Sequence, residues 1–104
     1  MDKDLLGHNE LNELQKEIHE WRKKNFPLGS DTQQLLGVVE EVGELSHSHL
    51  KQLQQIRVNE DHWANIKDTV GDIVIFLMGY CSYRQISLYD CIIEAWLNVK
   101  VRDW

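Results

Sequence analysis

Apolar residues recur along this chain at intervals of three and four, and no alternating run of useful length appears. That spacing belongs to amphipathic helices rather than strands. A first helix is predicted over Asn9 to Lys24, with Leu11, Leu14, Ile18 and Trp21 on one face and Asn9 as its N-cap. Residues Met1 to His8 read as a loose arm ahead of it. The pattern breaks over Asn25 to Ser30, where Pro27 and Gly29 act as the stop. A second helix starts at Ser30 or Asp31, since Ser30 and Gln33 stand in a capping-box arrangement. It runs to about Gln55, with Leu35, Val38, Val42, Leu45 and Leu53 as its apolar face. Gly37 and Gly43 weaken it by roughly 1 kcal/mol each relative to alanine. They read either as tolerated defects or as points where another helix approaches closely.

The third helix is predicted from Asn59–Asp61 to about Arg84, with Trp63, Ile66, Val70, Ile73, Leu77 and Tyr80 sharing a face. Val74, Phe76 and Met78 widen that face until the middle is apolar nearly all round. Such a helix is buried from several sides, and in so small a chain the extra sides imply a partner subunit. A fourth helix starts at Ser87, which forms a second capping pair with Asp90 while Ile86 is placed to staple onto the first turn. Cys91, Ile92, Ala95, Trp96 and Val99 follow at helical spacing. The expectation is one all-α domain over residues 1–104, a four-helix chain that assembles into a helical-bundle homodimer or dimer of dimers.

Composition narrows the function. The 104 residues carry 11 Lys+Arg against 17 Asp+Glu, a formal charge of -6, with 42% hydrophobic residues. That is enough apolar content for a core, but a lone domain of this size is marginal and gains from pairing with another copy. An acidic chain without a basic run is a poor ligand for nucleic-acid phosphates. The longest apolar run, Ile73 to Met78, is far short of the ~20 residues of a membrane span. The charged start Met1-Asp2-Lys3-Asp4 has no apolar signal core behind it. Cys81 and Cys91 make no disulfide framework and read as two buried thiols in a reducing, cytoplasmic chain.

The sharpest local feature is Glu40-Glu41-Val42-Gly43-Glu44 in the second helix. Glu41 falls on the border of the apolar face, Glu44 lies one turn on, and Glu40 points more nearly outward. Asp68 and Asp72 repeat the theme one turn apart in the third helix, just ahead of its most apolar segment. Carboxylates there are costly to desolvate without a cation or donors. A hard divalent cation relieves their repulsion, and Mg²⁺ characteristically bridges protein carboxylates to substrate phosphates. The physical reading is an acidic pocket between two helices that binds Mg²⁺ and, through it, a polyphosphate. The alternative is a pair of solvated acidic faces.

These residues resemble the all-α MazG-like nucleoside triphosphate pyrophosphohydrolases. That family carries Glu-Glu-x-x-Glu on one helix and Glu-x-x-Asp before an apolar run on the next. Glu40-Glu41-Val-Gly-Glu44 matches the first half, and Asp72-Ile-Val-Ile-Phe-Leu matches the end of the second. An N-terminal helix ending in an aromatic and a closing helix with the tail Val-Arg102-Asp-Trp104 extend the likeness over most of the chain. The resemblance implies Glu41, Glu44 and Asp72 as Mg²⁺ ligands, with Mn²⁺ as a substitute. It implies Glu40 as a further ligand or the group orienting the attacking water. The implied reaction converts a nucleoside triphosphate to the monophosphate and pyrophosphate, in sites lined by more than one subunit of a dimer or tetramer. Trp21, Phe26 and Trp63 become candidates to stack on the base, with Trp104 a candidate for a subunit contact. Lys67, Lys100 and Arg102 become candidates for phosphate oxygens, and Asn98 for the base or sugar.

One departure stands out. Thr69 occupies the place of the first Glu of Glu-x-x-Asp. Asp68 replaces that ligand, or Thr69 coordinates weakly, or the chain has kept nucleotide binding and lost turnover as a regulatory helical module. A separate reading is a di-iron carboxylate bundle, from Glu44-Leu-Ser-His47, although the remaining glutamate ligands have no clear source. In that reading His47 faces the core; otherwise His47, His49 and His62 are surface or interface histidines.

Overall fold

The computed structural model describes residues 8–55 and 59–102. The described residues form four helices: α1 His8–Asn25, α2 Asp31–Gln54, α3 His62–Tyr83 and α4 Leu88–Val99. No strand occurs among the described residues. The boundaries are set by the caps. Ser30 Oγ accepts from the Gln33 amide and Ser87 Oγ from the Asp90 amide, each at 3.2 Å. Asp61 plays the same part for α3, accepting from the Ala64 amide at 2.9 Å. Gln55 closes α2 in the left-handed conformation, φ 57. α1 begins at His8, so Asn9 lies within the helix rather than capping it. Of the expected arm, Met1 to His8, His8 instead belongs to α1, and residues 1–7 lie outside the described residues, as does Trp104.

The helices pack in a chain of pairs rather than around one axis. α2 lies against α3, α1 against α3 and α4, and α4 also touches α3. Among the described residues α1 and α2 do not pack on each other, which leaves a wedge between them with α3 as its floor. Glycines set the α2–α3 approach. A Cβ on Gly37 would overlap the Phe76 ring, and one on Gly79 would overlap the Gln34 side chain. Gly43, by contrast, has open space around it within this chain. The expectation of a close helix approach therefore holds inside the chain at Gly37 only.

Gln15 ties α1 to the α3–α4 corner. Its amide nitrogen donates to Ser82 Oγ at 3.2 Å and to the Ile86 carbonyl at 2.9 Å, and its oxygen accepts from the Leu88 amide at 2.9 Å. These bonds bury a polar residue where the spacing rule expects an apolar one. The expected apolar faces are rotated accordingly. Leu14 and Trp21 of α1, Leu35, Val42 and Leu53 of α2, and Trp63 and Val70 of α3 are all exposed. In α4 the buried positions are Tyr89 and Ile93, while Cys91, Ile92, Ala95 and Trp96 face outward. Cys81 is buried and Cys91 exposed, so only one of the two thiols is an interior group.

The fully buried hydrophobic set is Met78, Cys81, Tyr89 and Ile93. The radius of gyration is 16.4 Å, against about 13 Å for a compact chain of this length. The expected all-α fold is present, but as a flat slab whose apolar residues mostly line surfaces and cavities. No helix among the described residues is long and apolar enough to cross a membrane.

Candidate functional site

α2 and α3 diverge from the Gly37–Phe76 contact into an acidic cleft of about 590 Å³. α2 contributes Glu40, Glu41, Glu44, His47 and Ser48, and α3 contributes His62, Asn65, Asp68, Thr69 and Asp72. Glu60 joins them from the turn before α3. Each set follows the three- and four-residue spacing that puts side chains on one helical face. The five carboxylates expected from the sequence thus share one cleft. No lysine or arginine is among its lining residues.

Glu41 registers the crowding. Its carboxyl is raised above the usual range, first by partial desolvation and then by the charges of Asp72, Glu44, Glu40 and Asp68. An oxygen-rich, cation-free cleft of this kind suits a hard divalent ion. The carboxylates line the cleft without closing on a point: among the described residues no group of three or more His, Cys, Asp or Glu side chains is gathered tightly enough to hold a metal. Thr69 is buried in the wall, and its hydroxyl donates to the Asn65 carbonyl at 2.7 Å. Its oxygen has only lone pairs left to offer. Asp68 is exposed and lines the same cleft, whereas His47 points into it rather than into a core.

The wedge between α1 and α2 is a second cavity of about 680 Å³. Leu14, Ile18, Trp21, Phe26, Ile75 and Phe76 give it apolar walls, with Tyr83 at one side. Trp21 and Phe26 meet edge to face, with ring centroids 5.8 Å apart. Asp72 lines both this cavity and the acidic cleft. The two compartments therefore meet at one carboxylate.

Of the substrate-binding candidates, Trp21 and Phe26 line the aromatic cavity. Lys67 lies instead over the Trp63 ring, 5.7 Å from its centroid, on another face. Asn98, Lys100 and Arg102, at the end of α4 and beyond, line neither compartment. Sequence reasoning missed Arg22, Gln33, Gln34 and Phe76 in the cavity and Asn65, His62, Ser48 and Glu60 in the cleft. Asn65 and His62 were within reach, since they continue the Asp72–Thr69 face backward at helical spacing. Arg22 also continues a face, four residues on from Ile18, but its charge argues for solvent rather than a cavity wall.

The chain matches no protein-family model, no curated protein and no solved structure.

Proposed function

We propose that the chain is a Mg²⁺-dependent nucleoside triphosphate pyrophosphohydrolase, taking a nucleoside or deoxynucleoside triphosphate and water to the monophosphate and pyrophosphate. The observation that carries this reading is the acidic cleft and the aromatic cavity meeting at Asp72. A nucleotide asks for this pairing: apolar rings for its base and, next to them, carboxylates whose cation can meet its phosphates. Glu41, Glu44 and Asp72 would have to draw together to hold the ion, since they line the cleft without closing on a point, with Asp68 beside them where Thr69 supplies no charge. When bound, Mg²⁺ supplies neutralisation of phosphate charge. Glu40 and Glu41 are the carboxylates available to orient the attacking water and accept its proton as it meets the α-phosphorus and pyrophosphate leaves. Trp21 and Phe26 hold the base.

In this reading the working form is a homodimer or homotetramer. α2 exposes Leu36, Val39 and Leu50 along one stripe, with Gly43 among them and nothing within 4 Å of its Cβ position. A second helix can approach closely there. The role would be clearance of unwanted nucleoside triphosphates in the cytoplasm, with no nucleic-acid or membrane partner.

The test is release of pyrophosphate from each nucleoside triphosphate with and without Mg²⁺. Glu41→Gln and Asp72→Asn should each abolish release while the helical circular dichroism spectrum persists. Wild-type rates in either variant, or release of inorganic phosphate in place of pyrophosphate, refute the assignment. A second reading rests on Thr69, whose hydroxyl is engaged by the Asn65 carbonyl: a nucleotide-binding helical module that has lost turnover. Tight nucleotide binding without pyrophosphate would favour it.

A further inference from the structure

Arg22 is unexplained by the fold. It is 7% exposed, yet its Nε has no hydrogen-bond partner and no carboxylate forms an ion pair with it among the described residues. Its guanidinium lies over the Phe76 ring, 4.8 Å from the centroid, and it lines the aromatic cavity together with Trp21 and Phe26. Desolvation lowers its pKa from the ordinary value, but an arginine keeps its charge at neutral pH. A buried N–H of a cation left without an acceptor is costly. It persists most readily where a ligand supplies the missing acceptor.

We propose that Arg22 reads the base: its guanidinium donates to a carbonyl oxygen of the heterocycle held in the aromatic cavity. The site therefore takes nucleotides of uracil, thymine, cytosine, guanine or hypoxanthine in preference to those of adenine. Adenine is the common base with no carbonyl; its acceptors are ring nitrogens, and its exocyclic amine sets a competing donor beside N1 and N7, where the guanidinium would approach. The acceptor is a neutral carbonyl rather than a phosphate because Glu17 lines the same cavity and repels an anion there, while the phosphates belong to the cleft beyond Asp72. Trp21 and Phe26 are more than half exposed in the free chain, and a base seated between them would cover both and displace the water around Arg22, the condition under which a missing acceptor is rejected strongly. This inference rests on the nucleotide reading of the two compartments and adds the class of base.

The experiment compares pyrophosphate release from UTP, CTP, GTP, ITP and ATP by the wild type, Arg22→Lys and Arg22→Gln, with calorimetric binding of uridine and adenosine monophosphates alongside. A hydrogen bond to a buried charge predicts a preference of about ten- to hundredfold in kcat/KM for the carbonyl bases over ATP. In Arg22→Gln that ratio falls toward one, mostly through KM, and Arg22→Lys restores part of it. Wild-type rates equal for ATP and the others overturn the inference and leave the hydrolase reading standing. A uniform loss in both variants with the preference kept assigns Arg22 to phosphate and also overturns it. Absence of binding and turnover for every nucleotide overturns both. Should Arg22→Gln fail to fold, the wild-type ratio and the lysine variant decide.

Discussion

Two glycines on facing helices should respond to the same substitution with opposite sign. Gly37 sits on α2 where it meets α3, and a Cβ there would stand 2.8 Å from Phe76 Cγ and closer still to two other ring carbons. Normal carbon contacts are near 3.5–4.0 Å, so the ring must move. Phe76 is poorly free to do so, because it carries the Arg22 guanidinium and forms part of the cavity wall. Overpacking of this kind costs about 1–3 kcal/mol, and the overlap puts Gly37→Ala at the upper end. The better helix propensity of alanine returns about 1 kcal/mol, leaving a net loss of about 2 kcal/mol. Gly71, in the middle of α3, is exposed and has nothing within 4 Å of its Cβ position. Gly71→Ala then keeps the propensity gain alone, about 1 kcal/mol of added stability. At about 4–8 °C per kcal/mol for a domain near this size, the two variants should melt some 12–24 °C apart on either side of the wild type. Thermal melts at one protein concentration, checked by urea titration, measure this. Gly37→Ala melting at or above the wild type would refute the contact between α2 and Phe76.

Glu41 binds its proton more tightly in the folded chain than in the unfolded one, so its charge costs stability as pH rises and the cost disappears below about pH 4.3. Metal-free Glu41→Gln should therefore melt above the wild type at pH 7, with the difference gone near pH 4; a gain independent of pH would contradict the cause. Mg²⁺ at a hundredfold excess over its Kd should stabilise the wild type by about 2.7 kcal/mol, and Glu41→Gln by clearly less. Thr69→Glu should raise Mg²⁺ affinity and turnover, read by calorimetry and pyrophosphate release. A loss of both would mean the wall position has no room for a carboxylate. Gln15→Ala strands the Leu88 amide and removes both Gln15 donor bonds, which at 1–3 kcal/mol for a stranded buried group should lower stability by about 2 kcal/mol; an unchanged urea midpoint would refute the role of Gln15 as the tie to α4.

Helix ends were legible because capping is local. Ser30 and Ser87 announce their helices by a partner three residues on, and each bond forms as read. Helix orientation was not legible. Spacing locates an apolar face but not which way it turns when a chain has more apolar faces than partners, and so Leu14, Trp63 and Trp96 point outward. The carboxylates Glu41, Glu44, Asp68 and Asp72 were recoverable because i, i+3 and i+4 positions share a face whatever the helix docks on. The cavity was half recoverable. Trp21 and Phe26 were named as rings, but Arg22, one turn on from Ile18, was passed over because a charged side chain reads as a solvated one. Lys67, Asn98, Lys100 and Arg102 were chosen for charge or amide chemistry alone, and charge carries no address.

The meeting of the two compartments at Asp72 gives the chain a division of labour. Every other lining residue belongs to one chamber or the other, with Glu17, Trp21, Arg22 and Phe26 on the α1 side and Glu40, Glu41, Glu44, Glu60 and Asp68 on the far side. In the proposed nucleotide site, changes along α1 would retune which ring is admitted without disturbing the residues assigned to the ion. Such a partition lets selectivity drift while the chemistry stays fixed, and it makes Asp72 the position least free to vary.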